Sequence, residues 1–174
     1  AYDPQLGAWA LVASMSVKRR GHASLVVDGK IYVMGGYGND RRGTVEVYNP
    51  QADSWQRVAS WQRVASMPRG RLFYHAAAAM GGKIYMTGGD KTNQGTVNSA
   101  YVYDPQADAW TQLASMGNAR RLHASAAVGG KLYVFGGWFG GPVSNAEIYD
   151  PASDSWAQGS SLTFARESAM AVAL

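Results

Sequence analysis

The chain has 174 residues, with 16 Lys+Arg against 12 Asp+Glu and a formal charge of +4, a length that suits one domain or an array of a few repeats. Hydrophobic residues make up 47% and charged residues 16%, which excludes a disordered, heavily solvated chain. No apolar run reaches the roughly 18 residues that a membrane helix needs, and zero Cys excludes a disulfide framework, a thiol nucleophile and a Cys-ligated metal.

In chain order, Tyr2 to Ser14 reads as the end of one strand and a second strand, with neither a basic flank nor an apolar stretch in Ala1 to Ala10 to form a secretory signal. The compartment therefore stays undetermined. Strand a of the first full unit runs from His22 to Val27 and turns at Asp28-Gly29, residues that tolerate positive φ. Strand b, Lys30 to Met34, closes on Gly35-Gly36, where a side chain would block close backbone approach. Strand c, Thr44 to Tyr48, is ended by Pro50, and strand d begins at Trp55. The same order returns from His75 through Gly88-Gly89 and Tyr103-Asp104-Pro105 to Trp110, and from His123 through Gly136-Gly137 and Tyr149-Asp150-Pro151 to Trp156. Each Tyr precedes its Trp by seven residues, including Tyr2 and Trp9. The units are expected at 1–16 (strands c and d of a partial unit), 17–67, 68–116 and 117–162, with 163–174 giving strand a of another. No segment carries a sustained 3.6-residue apolar period with caps, so helix is not expected.

Gly-Gly closing one strand, then Tyr-Asp-Pro, then Trp, resembles the kelch repeat over essentially the whole chain. The resemblance implies an all-β fold of four-stranded antiparallel propeller blades, strand a innermost around a central channel. Three full blades plus end strands fall short of the roughly four to eight that close a ring. The chain is therefore read as an excerpted or engineered half-propeller whose copies complete one another, most simply as a homodimer. One irregularity stands out. Trp55-Gln-Arg-Val-Ala-Ser60 repeats at once as Trp61-Gln-Arg-Val-Ala-Ser66. An even slip keeps each side chain on its face, so either copy fits strand d, and the spare one is either a tolerated loop or a hinge for exchange.

Blade topology sends the d–a and b–c loops to one end, with eleven cations against three acids, and the a–b and c–d turns to the other, with seven Asp against three Lys. Glu46 and Glu147 are set against Arg57 and Arg63 on the strands themselves. An arginine-rich end attracts anions. Arg19, Arg71, Arg120 and Arg166 each follow the Met or Leu ending strand d by four residues. They are read either as ties between a loop and a blade or as a clamp on an acidic peptide, a use some kelch propellers in ubiquitin-ligase adaptors make of arginines near this end. Tyr37, Asn39, Asp90, Trp138 and Phe139 do not repeat and are the specificity candidates, with exposed aromatics suited to binding.

His22, His75 and His123 share one repeat position in separate blades and are expected to be structural, not a metal site. No helix follows the glycine pairs to make a phosphate loop, and no Gly-x-Ser-x-Gly elbow is present. Galactose-oxidase-type kelch enzymes depend on a Tyr–Cys crosslink that this chain lacks the cysteine to make. A sialic-acid mutarotase-like or carbohydrate-binding propeller is the alternative, with Glu167 beside Arg166 as its candidate pair. Nucleic acid is disfavoured, because the basic end lacks a reading element. The expectation is a non-catalytic interaction scaffold with no cofactor.

Overall fold

In the computed structural model, residues 1–38, 44–60 and 72–171 are described. Three four-stranded antiparallel sheets carry the fold, each with its strands in sequence order. Blade I comprises Ala23–Val27, Lys30–Met34, Thr44–Asn49 and Ser54–Ser60. Blade II comprises Ala76–Met80, Lys83–Thr87, Ala100–Asp104 and Ala109–Leu113, and blade III Ala124–Val128, Lys131–Phe135, Ala146–Asp150 and Ser155–Gly159. A two-stranded hairpin, Tyr2–Asp3 with Ala8–Trp9, precedes them. The described residues contain no helix.

The strands follow from short β-branched and aromatic runs broken by turn residues. Asp28 and Gly29 turn strand a into strand b with φ of 49° and 71°, the mirror-image turn that suits the strand twist. Between c and d, Tyr48 pairs with Trp55, Tyr103 with Trp110 and Tyr149 with Trp156. The rings meet at 5.1 Å in all three blades, which accounts for the seven-residue spacing. Each tyrosine hydroxyl donates to the aspartate five residues on, at 2.7–2.8 Å. Asp53 and Trp55 of blade I then grip Ala13 of the preceding unit, accepting from its N–H at 2.7 Å and donating to its carbonyl at 2.8 Å. Asp154 and Trp156 hold Ala114 in the same way.

The hydrophobic core lies in the seams between successive blades. At the first seam Tyr32, Met34, Val45 and Val47 of blade I pack on Ile84, Met86, Tyr101 and Tyr103 of blade II. At the second, Ala78 and Tyr85 of blade II pack with Met116 against Leu132, Val134 and Tyr149 of blade III. Strand a of blade II lies beside strand a of both neighbours, as a radial array requires.

Two expectations meet the structure at the unit boundaries. The first Trp-Gln-Arg-Val-Ala-Ser copy forms strand d of blade I, with a register shift at Thr44/Val45, while the second copy lies outside the described residues. Residues 160–171 carry no strand, so the part of the expected terminal strand a that is described is not in a ladder. A strand a forms by pairing with strand b of its own blade, and no such strand follows among the described residues.

Candidate functional site

The d–a connectors and b–c loops meet at one end of the array. Arg19–Arg20 pairs with Tyr37–Gly38, and Leu72–Phe73 pairs with Asp90–Lys91, which also takes Gly95–Thr96. In blade III, isolated bridges join Arg121 to Trp138 and Trp138 to Pro142. Tyr37, Asp90 and Trp138 therefore share one position, the residue after Gly-Gly, and face Arg20, Phe73 and Arg121. The next residues along form a chain of backbone bonds from blade to blade. Tyr74 N–H donates to Gly21 C=O at 2.8 Å, Leu122 N–H to Tyr74 C=O at 2.8 Å, and Ser168 N–H to Leu122 C=O at 2.7 Å. All four residues hold φ between 53° and 61°, a strained conformation for the three that are not glycine.

Side chains at this mouth also pair across seams. Tyr37 of blade I meets Phe73 of blade II edge-on at 6.1 Å. Asp90 of blade II accepts from Arg121 of blade III and from Thr96 Oγ1, the latter at 2.7 Å. Arg20 lies over the Tyr37 ring at 5.0 Å and is exposed, a cation–π contact. Phe139 is 60% exposed and Trp138 is half-buried. Burial also pushes the Lys91 ammonium below its usual range.

The repeated arginines behave differently from a ligand clamp. The Arg120 guanidinium is fully buried. It donates to Gly136 C=O at 2.9 Å, Asn145 C=O at 3.0 Å and the Glu147 carboxylate at 2.7 Å. Arg19 does the same with Gly35 C=O, Thr44 C=O and Glu46, at 3.0, 2.8 and 2.7 Å. In Arg19 and Arg120 both guanidiniums are used in fixing a connector to the blade it enters, the arrangement that the loop-to-blade reading describes. Burial works to raise the Glu46 pKa, but the hydrogen bonds from Ser16 and the charge of Arg19 outweigh it and hold the carboxyl below its usual range.

Blade II departs from this pattern. The Leu72 carbonyl accepts from Gly36 N–H at 2.9 Å, as the Arg120 carbonyl accepts from Gly89 and the Arg166 carbonyl from Gly137, both at 2.8 Å. Leu72 therefore takes the place assigned to Arg71, because the stretch from Met67 to His75 has one residue more than its counterparts. Opposite it, two residues before the strand-c tyrosine, stands Tyr101 where the other blades carry glutamate. Arg71 and Asn39 themselves lie outside the described residues.

The balance of free charge changes accordingly. Glu46 and Glu147 neutralise Arg19 and Arg120 instead of simply balancing strand arginines, and Asp90 neutralises Arg121. Among the described residues of this end, Lys18, Arg20 and Arg166 remain exposed cations. The arginine spacing does not by itself single out the paired carboxylates, although glutamate two residues before Tyr48 and Tyr149 is a signal for them.

The histidines seal the seams. A side chain at Gly35 would run into His75 Cε1 and the Leu72 carbonyl at 2.6 and 2.7 Å, so the first glycine of the pair lets the next blade's histidine close the joint. His123 Nε2 shares a hydrogen bond with Thr87 Oγ1 at 2.9 Å. Burial pushes both His75 and His123 down to about 3, with nearby positive charge adding to the effect. His22, less buried, is lowered by burial and by Arg19.

Comparison with known proteins bears on this geometry directly. Residues 3–171 match the KLHDC2/KLHL20/DRC7 Kelch-repeats domain. The chain belongs to the kelch-repeat family. It is 31% identical over 124 residues to Kelch-like protein 26 of Danio rerio, covering 70% of this chain and 19% of that one. It is 33% identical over 121 residues to Kelch-like protein 33 of Homo sapiens, covering 68% and 21%. Beta-scruin of Limulus polyphemus is 29% identical over 116 residues, covering 62% of this chain and 12% of that one. The kelch array thus spans a minor part of the curated relatives it matches.

Proposed function

We propose that this kelch array is a non-catalytic protein-interaction module whose mouth takes an anionic peptide segment with an apolar side chain beside the charge. One observation carries the reading. Arg20 is exposed and stacked on the half-exposed Tyr37, with Phe139 presented from the b–c loop of blade III, while Arg19, Arg120 and Arg121 are neutralised within the fold. A guanidinium fixed over an aromatic ring binds a carboxylate at little cost in side-chain ordering. Trp138 occupies the equivalent position in blade III, half-buried, and meets the neighbouring ligand residue there.

The test is fluorescence anisotropy with acidic, neutral and basic peptides carrying one aromatic residue. Acidic peptides should bind, weaken with added salt, and bind about tenfold more weakly to Arg20→Ala, the worth of one charge-assisted hydrogen bond. Equal binding of neutral peptides, or no response to Arg20→Ala and Phe139→Ala, overturns the reading.

The same proposal includes self-association into a two-fold pair that supplies blades in trans. Its support is the exposed apolar side chains of the outer units, Trp9 at 81% and Met170 at 98%, which association would cover. Sedimentation should give twice the chain mass of 18.6 kDa. A single species of the chain mass at all concentrations overturns this part.

A further inference from the structure

The fold treats one lysine unlike the others. Lys18, Lys30, Lys83 and Lys131 are exposed, and Lys83 and Lys131 pair with Asp104 and Asp150 at 3.0 Å. Lys91 is 8% exposed, and its side chain has no hydrogen-bond or ion-pair partner among the described residues. Gly38 and Phe139 hold the same place after Gly-Gly in blades I and III, so of the three blades blade II alone puts an amine there.

Local structure accounts for the burial. Asp90–Lys91 is the middle strand of a three-stranded sheet, between Leu72–Phe73 and Gly95–Thr96. Alternation along the strand sends the two side chains to opposite faces. Asp90 is neutralised by Arg121 and accepts from Thr96 Oγ1 at 2.7 Å. Lys91 stands opposite Leu72 on one side and Gly95 on the other. Leu72 is 7% exposed and belongs to the first seam. Gly95 has no side chain, and a Cβ there would meet nothing within 4 Å. The lysine stem thus has an apolar neighbour on one flank and open space on the other.

An ammonium without a counter-charge is costly to seal away, and a lysine avoids that cost by burying its stem and keeping its nitrogen at the water. Lys91 Nζ is not among the sealed side-chain atoms that lack a partner, so what exposure the residue has falls on the amine. Burial nevertheless pushes its pKa below the usual lysine range. Neither Leu72 nor Gly95 carries a charge to oppose that. More of this amine is therefore unprotonated near neutral pH than of an exposed lysine, and the unprotonated form is the nucleophile.

We propose that Lys91 is a covalent site for small, neutral aldehydes, which enter through the space beside Gly95. The Nζ lone pair attacks the carbonyl carbon, and the C=O π pair moves to the oxygen. The two amine hydrogens then leave with that oxygen as water, and a C=N bond to Nζ remains. The step needs no oxidant or reductant. An uncharged carbonyl compound suits the place, because Leu72 is apolar and the nearby Arg121 is already neutralised by Asp90. This site is separate from Arg20 and Phe139, which are the peptide-binding groups of the mouth.

The probe is propanal at limiting concentration with cyanoborohydride, which reduces the imine to a stable secondary amine, applied to the folded full chain at neutral pH. Peptide mapping by mass spectrometry then locates the label and separates it from the amino terminus. Lys91 should be labelled severalfold faster than Lys30, Lys83 or Lys131. Unfolding in guanidinium chloride should abolish that preference. Lys91→Arg retains a cation without the nucleophile, and should remove the fast-labelled species while leaving the other lysines unchanged. Labelling of Lys91 in the folded chain no faster than that of the exposed lysines overturns the proposal. A preference that survives unfolding also overturns it, because local sequence and not burial would then be the cause. Glyoxylate, an anionic aldehyde, should show less preference for Lys91 than propanal does; a greater preference would mark an anion site and overturn the assignment to neutral aldehydes.

Discussion

The connectors into blades I and III are held by a buried ion pair, and the connector into blade II by a leucine against a tyrosine. The backbone frame is the same at Leu72 and Arg120, fixed by the preceding blade's Gly-Gly amide and the connector carbonyl. Within it Arg19–Glu46 and Arg120–Glu147 are exchanged for Leu72–Tyr101, both buried in the first seam. One chain thus contains both solutions to the same packing problem. Removing charge on both sides leaves nothing unpaired, so the apolar version avoids the desolvation that the ionic one must offset. What the ionic version adds is direction: Arg120 reaches Gly136 and Asn145 carbonyls that leucine would leave to other donors or to water.

The largest effect should come from breaking an ionic seat on one side. Arg120→Ala leaves the Glu147 carboxylate buried with two backbone donors, and unfolding in urea should show a loss of about 3–5 kcal/mol. The double change Arg120→Leu with Glu147→Tyr copies blade II into blade III and should recover most of that loss. A double variant as unstable as the single one would show that the seams are not interchangeable, and that the Arg120 bonds to Gly136 and Asn145 carry the stability. Leu72→Ala, an apolar truncation at the corresponding place, should cost about 2–4 kcal/mol.

Much of this architecture was legible because its signals are local. The Tyr and Trp seven residues apart are cross-strand partners in one hairpin, and Gly-Gly marks the point where the next blade's histidine closes in. Those spacings identify blades without knowledge of any seam. The arginine seats were less legible because Arg120 and Glu147 meet from opposite sides of two strands, 27 residues apart. Counting from the Met that ends strand d selects Arg71, whereas counting back from His75 selects Leu72, and only the Gly36–Leu72 bond decides between them. The mouth was legible as a set of loops but not as a charge balance, since that depends on which cations the fold consumes.

Acid should act on the two seams alike, because each holds a buried histidine whichever side-chain pair secures its connector. His75 and His123 are neutral in the fold, with pKa pushed down to about 3 from 6.5. The unfolded chain takes up those protons first, so their stabilisation is complete above about pH 6.5 and is lost progressively as pH falls toward 3. By about pH 4.5 the loss should be roughly 2–3 kcal/mol for each histidine. Glu46, whose pKa is also lowered, adds a loss below the usual carboxylate range that the Leu72–Tyr101 connector does not share. Urea unfolding from pH 7 to 4.5 checks this, and His75→Gln should flatten the dependence. An unchanged slope in that variant would mean that other groups set the acid response.

The smallest expected effect separates burial from hydrogen bonding in the apolar seam. Tyr101 is 5% exposed, and burial raises its pKa while a hydrogen bond with Ser99 opposes the shift. If Leu72–Tyr101 works by apolar packing, Tyr101→Phe should cost about 0.5–1.5 kcal/mol, the net worth of one hydrogen bond, with the ring still filling the seam. Introducing Glu there, Tyr101→Glu, should be far more damaging, because Leu72 offers the carboxylate no counter-charge in a buried place. Adding Leu72→Arg should then restore stability by rebuilding the pair seen in blades I and III. If Tyr101→Phe proves as harmful as Tyr101→Glu, the hydroxyl itself holds the connector, and blade II uses a polar seat of a different kind, not an apolar substitute for the ionic one.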